Sequence, residues 1–327
     1  MGYFHRENKA LEEKVDLYFK SLSAFNDEHF DGRLSIVLLG SLSRGEGTWI
    51  KQNGQDILVS DIEFFTVYPD DVKSLKEYDE YVQVSAKEIF KENISSLFHV
   101  DNGNVLRSRL KGLEKKLLIY DAIHFGKCVV GEDVMQYFPQ VAIHNINLYD
   151  IRDILTHRIF SVVYYGFPLK ASGEMEQYRY SIAKNSLDLM TVILAENSIL
   201  ESGFINKCDR IKQLEIDDEI KRYFDFCLSI KLGKPFETPF AIEEMERLFI
   251  SLIKSLSGSF KVHYVNKRSN IKHIIRRRLG ILKRAIKYRY FISPKKHLSN
   301  LIKSFEKGEK ITSEAKRGNL VLNGYPL

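Results

Sequence analysis

Cysteine is scarce in this chain: Cys128, Cys208 and Cys227 are the only three in 327 residues, far apart and odd in number. That spacing excludes a disulfide framework and a zinc-binding pattern, so free thiols in a reducing cytoplasm are expected. Long apolar runs are missing too, and no stretch approaches the roughly 18 residues that a membrane-spanning helix needs. The opening Met1-Gly-Tyr-Phe-His-Arg-Glu-Asn-Lys9 puts charges where a secretory signal requires apolar residues, so none is expected. Internal repeats and low-complexity segments are also lacking. What is present is an ordinary globular composition, 44% hydrophobic and 28% charged, long enough for one large or two ordinary domains.

Acidic residues are nearly absent from the end of the chain. Beyond residue 260 there are 18 Lys and Arg against 3 Glu, which leaves 31 basic and 40 acidic residues before it. The body therefore carries about −9 and the tail about +15. The stretch 271–289 holds eight Lys and Arg and no acid, with Ile271, Ile275, Leu279, Leu282 and Ile286 forming an apolar stripe. A basic amphipathic helix of this kind suits an anionic membrane surface, a nucleic acid, or packing on the helical part of the protein. The expected location is cytoplasmic, with peripheral attachment at the inner membrane face if the tail binds lipid.

Apolar positions at helical spacing (Leu11, Val15, Leu17, Tyr18, Leu22, Phe25) predict a helix over 7–27. A strand over 35–39 leads into a turn region at 40–47. Asn53-Gly54, set between 48–52 and 55–60, predicts a hairpin. A strand over 61–68 stops at Pro69, and a helix over 74–90 follows, with Asp70 or Asp71 as its N-cap. The apolar run 116–125 reads as another strand, with a short strand and turn after it over 126–133. From Asp150 the pattern is helical, over 151–165, 175–198, 208–231 and 240–257. The expected fold class is α+β. A catalytic α/β domain, a mixed sheet with flanking helices, is placed at 1–145, an all-helical domain at 146–265 and the basic extension at 266–327.

Two short stretches carry the chemistry. Ile36-Val-Leu-Leu-Gly40-Ser41 is an apolar strand running into a Gly-Ser turn, and Val59-Ser-Asp61-Ile-Glu63-Phe-Phe65 carries two acids on a second strand. Strand side chains alternate faces, so Asp61 and Glu63 point one way while Ile62 and Phe64 enter the opposite layer. Neighbouring acids repel unless a cation lies between them, and Mg²⁺ takes oxygen ligands from carboxylates and substrate phosphates. The Gly40-Ser41 turn offers backbone N–H groups and a hydroxyl to a polyphosphate. Together these residues read as a site for a metal–nucleotide complex.

In this order, followed by Asp121 inside the run 116–125, the residues resemble the DNA polymerase β-like nucleotidyltransferase superfamily. Its pattern is a glycine followed by Gly or Ser at a strand end, two acids around an apolar residue, and a third carboxylate inside a hydrophobic strand. The resemblance covers residues 30–135. It implies transfer of a nucleoside monophosphate from an NTP to an acceptor hydroxyl or phosphate, with release of pyrophosphate. Asp61, Glu63 and Asp121 would hold two Mg²⁺ ions, Asp121 would also serve as general base, and Gly40, Ser41 and Arg44 would face the phosphates. In the helical half, Arg179–Asp188 resembles the helix on which such enzymes present a lysine to the triphosphate, and that lysine would be Lys184. Two departures stand out: the Ser41–Asp61 connection is long, and Glu63 occupies a position where Asp is commoner.

A small-molecule or sugar-type acceptor fits the acidic body, whereas a nucleic-acid acceptor would use the basic tail. A third reading is a catalytically silent nucleotide- or nucleic-acid-binding relative. Tyr178 and Tyr180 lie at helical spacing and are expected in the core. His124 is also expected in the core, facing away from Asp121.

Overall fold

The computed structural model describes residues 2–95, 97–114, 116–143, 146, 148–259 and 294–308. The basic stretch 271–289 lies outside the described residues. The chain divides into two compact units: unit 1 comprises Met1–Val141 with Ser229–Pro235, and unit 2 comprises Ala142–Leu228 with Phe236–Leu327.

Unit 1 is built on a four-stranded mixed sheet in the order β5-β4-β1-β6, with β1 Ser35–Leu38, β4 Ile62–Tyr68, β5 Val100–Leu106 and β6 Lys127–Val130. β1 pairs antiparallel with both β4 and β6, while β4 and β5 run parallel. Helices α1 (Lys9–Phe30) and α3 (Lys76–Phe90) cover one face of the sheet. Leu11, Val15, Tyr18 and Leu22 of α1 and Tyr78, Val82 and Phe90 of α3 pack there against Ile36, Leu38, Ile62 and Phe64. Asn8 caps α1, its side chain accepting from the Leu11 N–H at 3.1 Å. The cap expected for α3 at Asp70 or Asp71 is not used. That helix starts after Leu75, and Ser74 Oγ accepts from the Lys76 N–H.

The opposite sheet face holds a second cluster: Val37, Leu39, Phe65 and Val67 from the strands, with Ile119 and Ala122 above them. Those two residues belong to a helix, α4 (Leu117–Phe125), where the sequence pattern had pointed to a strand. The correction has a simple cause. A short apolar run fits either period, and Ile119 and Ala122, three apart, are the positions that bury on one helical face. The sheet position is taken instead by β5, whose Asn102 and Asn104 disguise it as a loop. Their amides donate to Asp79 Oδ1 at 2.9 and 3.0 Å, and Asn102 Oδ1 accepts from Thr66 at 2.8 Å. A polar edge strand of this kind also blunts aggregation.

The short helix α2 (Gly40–Ser43) follows β1. Between it and β4 stands the expected hairpin, β2 (Trp49–Gln52) against β3 (Gln55–Leu58), turned by Asn53 and Gly54, both at positive φ.

Unit 2 is helical among its described residues. It comprises α5 (Leu148–Ser161), a π-helical turn Val162–Gly166, α6 (Phe167–Ser172), α7 (Met175–Glu196), α8 (Phe204–Lys212), most of α9 (Asp218–Leu232), α10 (Ile242–Ser259) and α11 (Pro294–Lys307). The helix expected over 208–231 is therefore two helices, divided at 213–217. α7 is buried almost all round, as befits a central helix. Tyr178 and Tyr180 lie in that core. The three cysteines are free thiols. No described helix is long and apolar enough to cross a membrane.

A half-buried and a buried histidine make unit 2 acid-sensitive. Burial lowers His157 to about 3, helped by Arg158 and Lys184 and opposed by Asp188, and burial lowers His297 to about 4. Neither ring nitrogen of His297 finds a hydrogen-bond partner among the described residues. Both rings are neutral in the fold, whereas an unfolded histidine titrates near 6.5. Below that pH the unfolded state binds more protons. Stability is therefore lost from pH 6.5 downward, by up to about 1.4 kcal/mol per pH unit for each ring. Thermal melts from about pH 7 to pH 4.5 should show this decline, and His297→Leu should shallow it. An identical pH slope in that variant would disprove the role of His297.

Candidate active site

The candidate site is assembled at the ends of β4 and β5. Asp61 immediately precedes β4, and Glu63 follows two residues later, on the face that also carries Phe65 and Val67. In the parallel ladder Glu63 is paired with Asp101. Asp101 shares its face with Gly103, where an added Cβ would meet Phe65, and with Val105, which packs on the same cluster. Adjacent strands lie about 4.8 Å apart, so Glu63 and Asp101 stand side by side on one face, with Asp61 just before β4 at the same end. Asp61 is fixed from the side: its Oδ1 accepts from the His99 N–H at 3.1 Å, and the Ile62 N–H donates to His99 O at 3.0 Å.

The turn after β1 closes on these acids. The Leu39 N–H donates to the Glu63 carbonyl at 2.7 Å, which carries the chain past Glu63 into Gly40. Gly40 has φ +66°, and a Cβ built on it would lie 1.9 Å from Glu63 Oε2. Only glycine leaves room for this carboxylate. Ser41 comes next, half-buried in α2.

Arg44 follows, and its side chain turns inward. It is only 8% exposed, with Nε 2.8 Å from Glu46 Oε2 and Nη1 3.8 Å from Asp121 Oδ2; the Glu46 and Asp121 side chains are 4% and 27% exposed. Burial alone would lower the Arg44 pKa, but Glu46, Asp121 and Glu63 together outweigh it and hold the guanidinium above its ordinary value. Arg44 is thus a resident cation that eases the crowding of acids beside Glu63.

Of the site residues expected from sequence, unit 1 brings together Gly40, Ser41, Arg44, Asp61, Glu63 and Asp121. Asp121 is there for a different reason than expected. It rides on α4, on the sheet face that bears Glu63, and its carboxylate meets Arg44. His124, three residues on, is exposed rather than in the core, and its ring stacks on Tyr120 with centroids 4.1 Å apart. Lys184 lies in unit 2, half-buried, within electrostatic reach of His157. Beside it, Arg158 Nε lies 2.9 Å from Asp188 Oδ2, close but not aligned as a hydrogen bond. The acid that sequence reasoning did not place beside Glu63 is Asp101. The available signal was Phe98-His-Val-Asp-Asn, an acid right after Val100 at the point where a parallel strand must follow α3.

Among the described residues, no three His, Cys, Asp or Glu side chains converge into a ready metal cage. The donor set nonetheless fits Mg²⁺, which is held through one or two carboxylates plus substrate phosphates rather than by an all-protein cage. Gly40, with no Cβ, leaves room for the Glu63 carboxylate of this donor set.

No protein-family model matches the chain, and no curated protein matches its sequence. Among solved structures, the crystal structure of spectinomycin adenyltransferase AAD(9) from Enterococcus faecialis with ATP and spectinomycin is similar, with a TM-score of 0.46 and 12% identity. The similarity covers 75% of this chain and 98% of that one. At that distance the functional reading rests on the geometry of unit 1.

Proposed function

We infer that unit 1 carries a nucleotidyl-transfer site, in which an acceptor oxygen attacks the α-phosphorus of an NTP. The new P–O bond forms as the bond to the β-phosphate oxygen breaks, and pyrophosphate leaves. The observation that carries this reading is Glu63 beside Asp101 in the ladder, with Asp61 just before the strand and Gly40 pressed against Glu63.

Asp61 and Glu63 are the residues that would hold Mg²⁺. When bound, that ion supplies charge neutralisation for the phosphates and the leaving group. Asp101, exposed on the edge strand, accepts the acceptor proton. Arg44, held by Glu46 and Asp121 and within electrostatic reach of Glu63, offsets part of the negative charge gathered there. Gly40 and Ser41 border the phosphates.

The acceptor is a small molecule. Before residue 260 the chain has an excess of nine acids, a field that repels polyanions and tolerates neutral or cationic compounds.

Titration calorimetry with each NTP tests the reading. Binding should tighten at least about tenfold when Mg²⁺ is added, because the phosphates complete the ion's ligand shell. Affinity indifferent to Mg²⁺ would overturn it.

A further inference from the structure

Lys231 is a buried lysine that this chemistry has not yet used. It belongs to Ser229–Pro235, the segment of unit 1 that takes in the last turn of α9, and it is 1% exposed. An ammonium taken out of water is costly, and such a group persists only where its hydrogen bonds are satisfied. Lys231 Nζ donates to Ser60 Oγ at 3.0 Å, and Ser60 is the residue before Asp61.

The contact is reciprocal. Ser60 Oγ also accepts from the Thr48 N–H at 2.8 Å, and Thr48 Oγ1 donates back to the Lys231 carbonyl at 2.5 Å. The N–H groups of Val59 and Ser60 both reach Thr48 O, at 3.2 and 3.3 Å. One residue further, Trp49 is held by the N-terminal arm: Arg6 lies 3.6 Å over its ring, and Trp49 Nε1 donates to Arg6 O at 3.0 Å. The base of the β2–β3 hairpin is thus clamped to Lys231 on one side, while Asp61 is tied to His99 on the other.

Ser60 stands at a bend of the chain immediately before Asp61, so a bond to its side chain fixes the backbone from which Asp61 projects. Lys231 therefore anchors the chain one residue before Asp61, while the His99 N–H holds the Asp61 carboxylate itself. A methylene stem alone would fill the same space without orienting anything. The geometry points to Lys231 as a positioning residue for the phosphate-transfer site, one that sets the aim of Asp61 through Ser60. This rests on the nucleotidyl-transfer reading given above.

Lys231→Met keeps the stem and removes the donor, and Ser60→Ala removes the acceptor. In both variants kcat for pyrophosphate release should fall about tenfold with KM for the NTP held within about twofold, because binding of the nucleotide is left to other groups. The double variant should be no worse than the weaker single, because the two residues act through one contact. Hydrogen exchange of residues 57–64 without substrate should speed up in both. Unchanged kcat in both variants against an active wild type defeats this inference alone, as does unchanged exchange. A wild type that releases no pyrophosphate defeats the reading of the site and the inference with it.

Discussion

Asp101→Asn is expected to lower pyrophosphate release by about a hundredfold or more, whereas Asp121→Asn should stay within about fivefold of wild type. The two acids differ in what surrounds them. Asp101 stands beside Glu63 in the parallel ladder and is exposed to solvent, where an incoming acceptor can reach it. Asp121 sits on α4 with its carboxylate 3.8 Å from Arg44. Loss of that charge removes one partner of Arg44 but leaves Glu46 at 2.8 Å, so the guanidinium stays in place. A partly exposed ion pair of this length is worth no more than about 1 kcal/mol, so only a small drop in melting temperature should accompany it. Initial rates with an NTP at saturating Mg²⁺ decide the matter. The reverse ranking would place the third carboxylate on the helix after all.

Gly40→Ala should abolish most of the activity while leaving unit 1 folded. Two costs coincide at this position. A residue with a Cβ at φ +66° loses about 1–2 kcal/mol, and its methyl would lie 1.9 Å from Glu63 Oε2. The backbone here is held by the Leu39 N–H to Glu63 O bond, so the side chain of Glu63 is the part that must move. Displacing a carboxylate that holds phosphate-bound metal by an ångström or more costs about a hundredfold in rate. The melting temperature should fall by only a few degrees. Glu63→Asp in the same chain shortens the acid by one methylene and should restore part of the lost rate. That second-site recovery separates a local clash from general damage. A Gly40→Ala enzyme with full activity would show that Glu63 has no fixed place to keep.

Much of the site's first half was legible in the chain. The Gly-Ser turn after an apolar strand, the acids two apart on the next, and the Asn53-Gly54 hairpin between them are local patterns, and each is found where it was expected. The alternation of Asp61 and Glu63 against Ile62 and Phe64 needs only the period of a strand, and the core bears it out, since Ile62 and Phe64 pack against α1 and α3. The second half was not legible. Residues 117–125 are apolar enough for either a strand or a helix, and β5 looks like a loop because its asparagines are satisfied by Asp79 and Thr66, partners that no local pattern contains.

By itself, then, the sequence determined the parts whose cause is local: the turn, the hairpin, the pair of acids and the side of the strand on which they stand. The tertiary structure alone decided which acid joins them, that Arg44 turns inward, and that Lys231 reaches Ser60 from 171 residues away. Those outcomes depend on which segments compete for the sheet edge and on which buried charges find partners, and such competition is settled only when the whole chain has packed.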